Sequence, residues 1–100
     1  MLTAIFTERG HNLSLLVEGH AGYAEQGKDI VCASATILAY TLASIVESSG
    51  VEYTTELAPG DAVIECEFND QVRSAFDFTK VGFALLQQSY PQYVSLLDLT

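Results

Sequence analysis

The strongest constraint on the fold is a junction between an alternating segment and a long apolar segment, at residues 18–34, which reads EGHAGYAEQGKDIVCAS. Before it, N-L-S-L-L-V-E-G alternates between apolar and polar side chains, which predicts a half-buried strand. After it, apolar residues recur at helical spacing behind Asp29, a favourable N-cap residue. Gly22 and Gly27 let the intervening backbone turn sharply, so the junction predicts a strand, a loop and a helix.

The remaining elements follow from the same kinds of pattern. The predicted order is a strand at 2–8, a strand at 12–19, a helix at 30–49, strands at 51–57 and 62–68, a helix at 71–89, and a short fifth strand in the tail. Hairpins followed by helices predict an α+β fold, an antiparallel sheet of four to five strands with two helices packed on it, in the order β-β-α-β-β-α-β. No internal boundary is visible, so residues 1–100 form a single domain.

The two predicted helices differ in how their faces are patterned. The apolar stripe of the second helix consists of Val72, Phe76, Thr79, Phe83 and Leu86. The first helix has an apolar stripe that includes Val31, Ala35, Leu38, Leu42 and Ile45, and its opposite face (Ala33, Ile37, Thr41, Ser44) is only weakly polar. We therefore expect the first helix to be largely buried.

The composition limits the classes of partner. The formal net charge is −9, from 13 acidic and four basic residues, so we expect no binding to nucleic acid through its phosphates. An acidic surface can attract a basic partner, although it can also serve only to keep a small domain in solution.

We expect no apolar run of membrane-spanning length, no association with a membrane and no signal-like segment at the N-terminus, which makes the cytoplasm the expected location.

The two cysteines are predicted to have different roles. Cys66 alternates with Glu65 and Glu67 in a predicted strand, which indicates an inward-facing core thiol of low reactivity. Cys32 falls in the first turn of the helix if Asp29 is the N-cap, where the positive end of the helix dipole favours a thiolate. Two cysteines in a chain of cytoplasmic character argue against a disulfide framework.

An imidazole near the Cys32 thiol would form a Cys–His pair. His20, at the predicted end of the strand, can reach the helix N-terminus across the loop, and a Cys–His pair supports nucleophilic hydrolysis. The backbone N–H groups of Cys32 and Ala33 are candidates for an oxyanion hole. Cys32 as a small buried hydrophobe remains an alternative, and Asp29 is either a third member that orients His20 or simply a helix cap. Two ligands fall short of a structural metal site, and we expect no metal and no cofactor.

The run G-H-A-G-Y-A-E-Q-G-K-D-I-V-C-A, from Gly19 to Ala33, closely resembles the signature of the ribosomal-processing cysteine protease family, Prp. The chain length, the element order and the acidic character are also similar to those of the family. The resemblance implies that His20 and Cys32 are the catalytic pair. The sequence departs from the family pattern after Cys32, where Thr36 stands at a position that is often Ser.

The resemblance also implies a substrate. Family members remove a short N-terminal extension from ribosomal protein twenty-seven of the large bacterial subunit, cutting after a hydrophobic stretch that ends in paired Phe residues. They form homodimers, and the loop between the His and the Cys is expected to be mobile. An apolar recognition sequence needs an apolar groove, for which Tyr23, Ile30, Tyr40 and the aromatic residues of the second helix are candidates.

Two other functions remain open from the residues alone. A non-enzymatic module would bind a ribosomal protein and help assembly without changing the partner's mass. A cysteine hydrolase of another substrate class, such as a deamidase or a thioesterase, would turn over small amides or esters but would not cut the ribosomal extension.

Overall fold

The computed structural model describes residues 1–25 and 27–100 and has the predicted order of elements. The elements are β1 (Leu2–Arg9), β2 (Asn12–Glu18), α1 (Ile30–Ser48), β3 (Tyr53–Ala58), β4 (Asp61–Glu67), α2 (Asp70–Ser89) and β5 (Val94–Leu99). Asp29 caps α1 and Asn69 caps α2, as the sequence indicates. Beyond the end of α1, Gly50 has a φ of 86°, a backbone conformation that favours glycine.

The five strands form one sheet in the order β3-β4-β2-β1-β5. The pairings β1–β2, β2–β4 and β3–β4 are antiparallel, whereas β5 lies parallel to β1. This parallel pair refines the predicted antiparallel sheet. Because β4 is antiparallel to β2, it runs in the same direction as β1. The helix α2 carries the chain back, so the next strand, β5, again runs in that direction, as in a crossover connection.

The hydrophobic core lies between one face of the sheet and the two helices. Phe6, Leu15 and Ile64 come from three neighbouring strands and are at most 1% exposed. The Phe6 ring meets the rings of Phe76 and Phe83 edge-on, with centroids 6.4 and 6.0 Å apart. All five residues of the predicted α2 stripe are buried, which confirms the orientation of this helix.

The outer face of α1 corrects the expectation that this helix is largely buried. Val31, Leu42 and Val46 pack in the core, but Ile37 on the opposite face is 64% exposed. The helical spacing identifies which face of a helix is most apolar, but it does not indicate whether a weakly polar outer face is covered by the same chain.

The apolar length of α1 corrects a second expectation. At 19 residues and a mean hydropathy of 1.7, α1 is long and apolar enough to cross a membrane, although the sequence suggested that no run was long enough. A core helix meets the same two criteria, and the buried face of α1 packs against the sheet. The length and composition of α1 are therefore weak evidence for a membrane protein.

Candidate active site

The start of α1 is built around the carboxylate of Asp29. Its Oδ1 accepts hydrogen bonds from the backbone N–H groups of Val31 and Cys32, both at 3.0 Å. Its Oδ2 accepts from the N–H groups of Tyr23 at 3.0 Å and Ala24 at 3.4 Å. One side chain thus satisfies the first turn of the helix and the loop that precedes it, and it fixes each relative to the other.

These hydrogen bonds determine the protonation of Asp29. Desolvation acts to raise the pKa of the carboxyl, but hydrogen bonds from the N–H groups of Cys32, Ala24 and Tyr23, together with one from the Cys32 side chain, outweigh it. The pKa of Asp29 is therefore held below its ordinary value, and the group is a carboxylate at neutral pH. The contacts place Asp29 as the helix cap and the anchor of the loop.

Cys32 lies where the helix meets the end of β2. Its side chain is half-buried, and its Sγ accepts a hydrogen bond from the backbone N–H of Ala21 at 3.3 Å. Ala21 directly follows His20, so this contact brings the thiol to the segment that carries the imidazole. His20 itself is exposed at the end of the strand.

Cys32 and His20 line the same cleft, so the fold brings the two predicted site residues to one place. The cleft has a volume of about 280 Å³ and is also lined by Gly22, Asp29 and Thr36. An adjoining recess of about 40 Å³ is lined by the same pair and by Tyr40. Tyr40, one of the candidates for an apolar groove, therefore lies at the site.

The prediction that the N–H groups of Cys32 and Ala33 form an oxyanion hole is wrong. The N–H of Cys32 donates to Asp29 Oδ1, and the N–H of Ala33 donates to the backbone carbonyl of Asp29 at 3.0 Å. Both groups already have partners within the helix cap. The amide that points at the sulfur is that of Ala21, which lies on the other side of the loop.

The loop at residues 21–28 contains Gln26, which lies outside the described residues. Its Tyr23 ring packs edge-on against the rings of Tyr90 and Tyr93, with centroids 5.4 and 5.2 Å apart. Tyr23 therefore contacts the chain between α2 and β5. The predicted mobility of this loop stays a prediction.

Sequence reasoning missed the contribution of the β3–β4 turn. Pro59 and Gly60 of this turn line the cleft with His20 and Cys32. Gly60 also accepts a hydrogen bond from the N–H of Gly19 at 2.9 Å through its carbonyl oxygen. The Pro-Gly pair identified a turn, but only the pairing of β2 with β4 places that turn beside the site.

Cys66 is separate from the site, as predicted. It is 2% exposed in the core, where burial first, and then the charge of Glu65, raises its pKa to about 11. No cluster of three or more His, Cys, Asp or Glu within residues 1–25 and 27–100 is placed to hold a metal ion.

The role of Asp29 can be tested through the pH dependence of stability. We expect Asp29→Ala to lower the free energy of unfolding by about 1 kcal/mol at pH 7, because a charged helix cap is lost. Folding lowers the pKa of this carboxyl, so the group stabilises the folded protein at pH values above its pKa in the unfolded chain. This stabilisation is lost as the pH falls through the pKa that the group has in the folded protein. The gap between wild type and variant, measured by urea unfolding, should therefore narrow below about pH 4.

Asn69→Ala is the matched control, because Asn69 caps α2 through its side-chain oxygen, which accepts from the Val72 N–H at 2.9 Å and carries no charge. The decrease in the free energy of unfolding caused by Asn69→Ala should be similar at pH 7 and below pH 4. At pH 3, which is below the ordinary Asp pKa of about 3.9, the difference in unfolding free energy between wild type and Asp29→Ala should be smaller than at pH 7. An equally large difference at both pH values would contradict a stabilising carboxylate.

Comparisons with known proteins agree with this fold and site. The family profile described as cysteine protease Prp matches residues 1–95. The ribosomal processing cysteine protease Prp of Mycoplasma genitalium is 32% identical over 81 residues, which cover 80% of this chain and 82% of that protein.

Two solved structures have similar folds. The essential ribosomal processing protease Prp of S. aureus, in complex with a covalently linked product peptide, superposes with a TM-score of 0.87 at 21% identity, covering 98% of this chain and 99% of that one. A Streptococcus mutans protein has a TM-score of 0.74 at 26% identity, covering 100% of this chain and 95% of the other. Since the profile spans almost the whole chain and the M. genitalium relative covers most of it, this chain belongs to the ribosomal-processing cysteine protease family Prp and is a cysteine protease.

Proposed function

We propose that this protein removes the N-terminal extension of ribosomal protein twenty-seven of the large bacterial subunit, with Cys32 as nucleophile and His20 as general base and acid. The observation that carries the proposal is that one cleft is lined by both side chains, at the junction of β2, the loop and α1. The names of the M. genitalium and S. aureus relatives, both ribosomal processing proteases, support the substrate class.

The chemistry needs only groups of this chain and water. His20 takes the proton of the Cys32 thiol, and Sγ attacks the carbonyl carbon of the scissile peptide bond, forming a C–S bond. The C–N bond then breaks, and the new amine takes the proton from the imidazolium. His20 next takes a proton from water, whose hydroxide attacks the thioester. The C–S bond breaks, the N-terminal product leaves as a carboxylic acid, and Sγ takes the proton back from the imidazolium, which restores the thiol and the neutral imidazole.

The charge of the chain suits a ribosomal substrate. Ribosomal proteins bind RNA and are basic, so a protein of net charge −9 attracts them over a distance that depends on salt. We place this encounter in the cytoplasm, where the substrate is made. Membership in a cysteine protease family disfavours a non-enzymatic assembly module. Among residues 1–25 and 27–100, no contact at the site favours a deamidase or a thioesterase over a peptidase.

The nucleophile can be tested by the mass of a peptide that contains the ribosomal extension, before and after incubation. We expect Cys32→Ala to reduce cleavage by a factor on the order of 10⁴ or more, because the attacking atom is removed. Cys66→Ala is the matched control: it removes the other thiol, which lies in the core, and should leave cleavage close to wild type. Unchanged cleavage by Cys32→Ala would refute the proposed mechanism.

We also propose that the protein forms a homodimer through the outer surface of the two helices. Ile37 of α1 is 64% exposed, and Phe78, Val81 and Leu85 of α2 are 77%, 58% and 58% exposed. These four residues, the helical patch, lie on adjacent helices. Exposed apolar side chains on two helices that pack against each other support a protein–protein contact at this surface.

The dimer is tested by sedimentation equilibrium with Phe78→Glu. We expect wild type to be a dimer and Phe78→Glu a monomer, because a charge would be buried without a partner in the interface. Leu97→Glu is the control, since Leu97 of β5 is 45% exposed and lies outside the helical patch; it should remain a dimer. A monomeric wild type, or a Phe78→Glu variant that is still dimeric, would rule out this interface.

A further inference from the structure

We propose that Gly60, in the turn between β3 and β4, positions the imidazole of His20 in the cleft that it shares with Cys32. Gly60 would be a positioning residue, since it would act through His20 and not on the substrate. The inference rests on the proposed catalytic role of His20, but the contact between Gly60 and the ring is a property of the fold and can be measured separately.

The first observation is how closely the imidazole approaches Gly60. A Cβ atom built on Gly60 would lie 2.6 Å from both Cε1 and Nε2 of His20, and 3.3 Å from Nδ1. Ordinary carbon contacts begin near 3.5 Å, so the ring occupies the space that any other residue at position 60 would need. The ring therefore lies against the glycine backbone, with its two outer atoms closest.

The second observation is that the backbone holds the two segments in register. The N–H of Gly19, directly before His20, donates to the carbonyl oxygen of Gly60 at 2.9 Å. The last pair of the β2–β4 ladder, Glu18 with Asp61, lies next to this hydrogen bond. The sheet thus fixes the Cα of His20 relative to the turn, and the missing side chain of Gly60 leaves a place for the ring.

The contact limits the directions that the ring can take. An exposed histidine at the end of a strand has several rotamers, and a ring that rests on a backbone surface on one side has fewer. A Cβ at position 60 would displace the end of a side chain and not a backbone segment, so the protein should still fold. The imidazole would lose its place in the cleft, and a displacement of about 1 Å can lower a rate by about 10²-fold.

The chain offers a matched control for the backbone strain. Gly60 has a φ of +73° and Gly10, in the turn between β1 and β2, has a φ of +59°. Both values lie in the region that favours glycine, so an alanine at either position is strained. A Cβ at Gly10 would meet nothing within 4 Å. Gly10→Ala therefore carries the strain without the contact.

The experiment compares Gly60→Ala, Gly60→Asn and Gly10→Ala in urea unfolding, in kcat and KM for the extension peptide, and in the NMR signals of the His20 ring. Asn tolerates a positive φ better than Ala but still carries a Cβ, so Gly60→Asn keeps the contact if Gly60→Ala fails to fold. We expect both alanine variants to lower the urea midpoint by similar amounts. Only the Gly60 variants should lower kcat, by about 10- to 100-fold, with KM nearly unchanged.

The NMR signals of the His20 ring test the positioning role of Gly60 independently of the proposed protease mechanism. We expect the His20 signals to shift in the Gly60 variants and to stay in place in Gly10→Ala. If kcat falls in Gly60→Asn while the His20 signals are unchanged, or if Gly10→Ala lowers kcat equally, Gly60 does not act through the ring and the inference is overturned. If Cys32→Ala is fully active, the mechanism is wrong, but the His20 signals still test whether Gly60 positions the ring.

Discussion

The site depends first on the carboxylate of Asp29, which holds two segments together with its two oxygens. Oδ1 accepts from the first turn of α1, and Oδ2 accepts from the loop that follows β2. Without this double role, the start of the helix and the loop would lose four hydrogen bonds that hold them in place, and the position of the Cys32 thiol relative to His20 would be less defined. The low pKa of Asp29 follows from the same contacts, since N–H donors stabilise the charged form.

The second constraint is the order of the strands. Because β2 lies between β1 and β4, the turn before β4 lies beside the end of β2. His20 therefore has neighbours from three parts of the chain: its own strand end, the start of α1 and the β3–β4 turn. This arrangement puts His20 and Cys32, the proposed catalytic pair, at the end of the central strand β2, in a cleft that Gly22 and Ala24 of the following loop also line.

The sequence was sufficient for features that depend on neighbouring residues. The Asp29 cap, the glycine beyond α1, the buried stripe of α2 and the inward Cys66 all follow from local spacing. The predicted oxyanion amides were wrong because the N–H groups of a capped first turn are already bonded, here to Asp29.

Features that join distant parts of the chain could not be read from local patterns. The contact of His20 with Gly60, the packing of Tyr23 on Tyr90 and Tyr93, and the parallel position of β5 each need the complete sheet order. The exposed outer face of α1 belongs to the same group, since helical spacing does not show whether another element of the chain covers that face.

The most direct test of the account is to trap the nucleophile. A peptide with the sequence of the ribosomal extension, ending in a chloromethyl ketone, is incubated with the native protein, and the modified residue is located by mass spectrometry of its fragments. The account predicts one adduct, on Cys32, formed as Sγ displaces chloride, and none on the buried Cys66. An adduct on Cys66, or no adduct on Cys32, would contradict the assignment of the site.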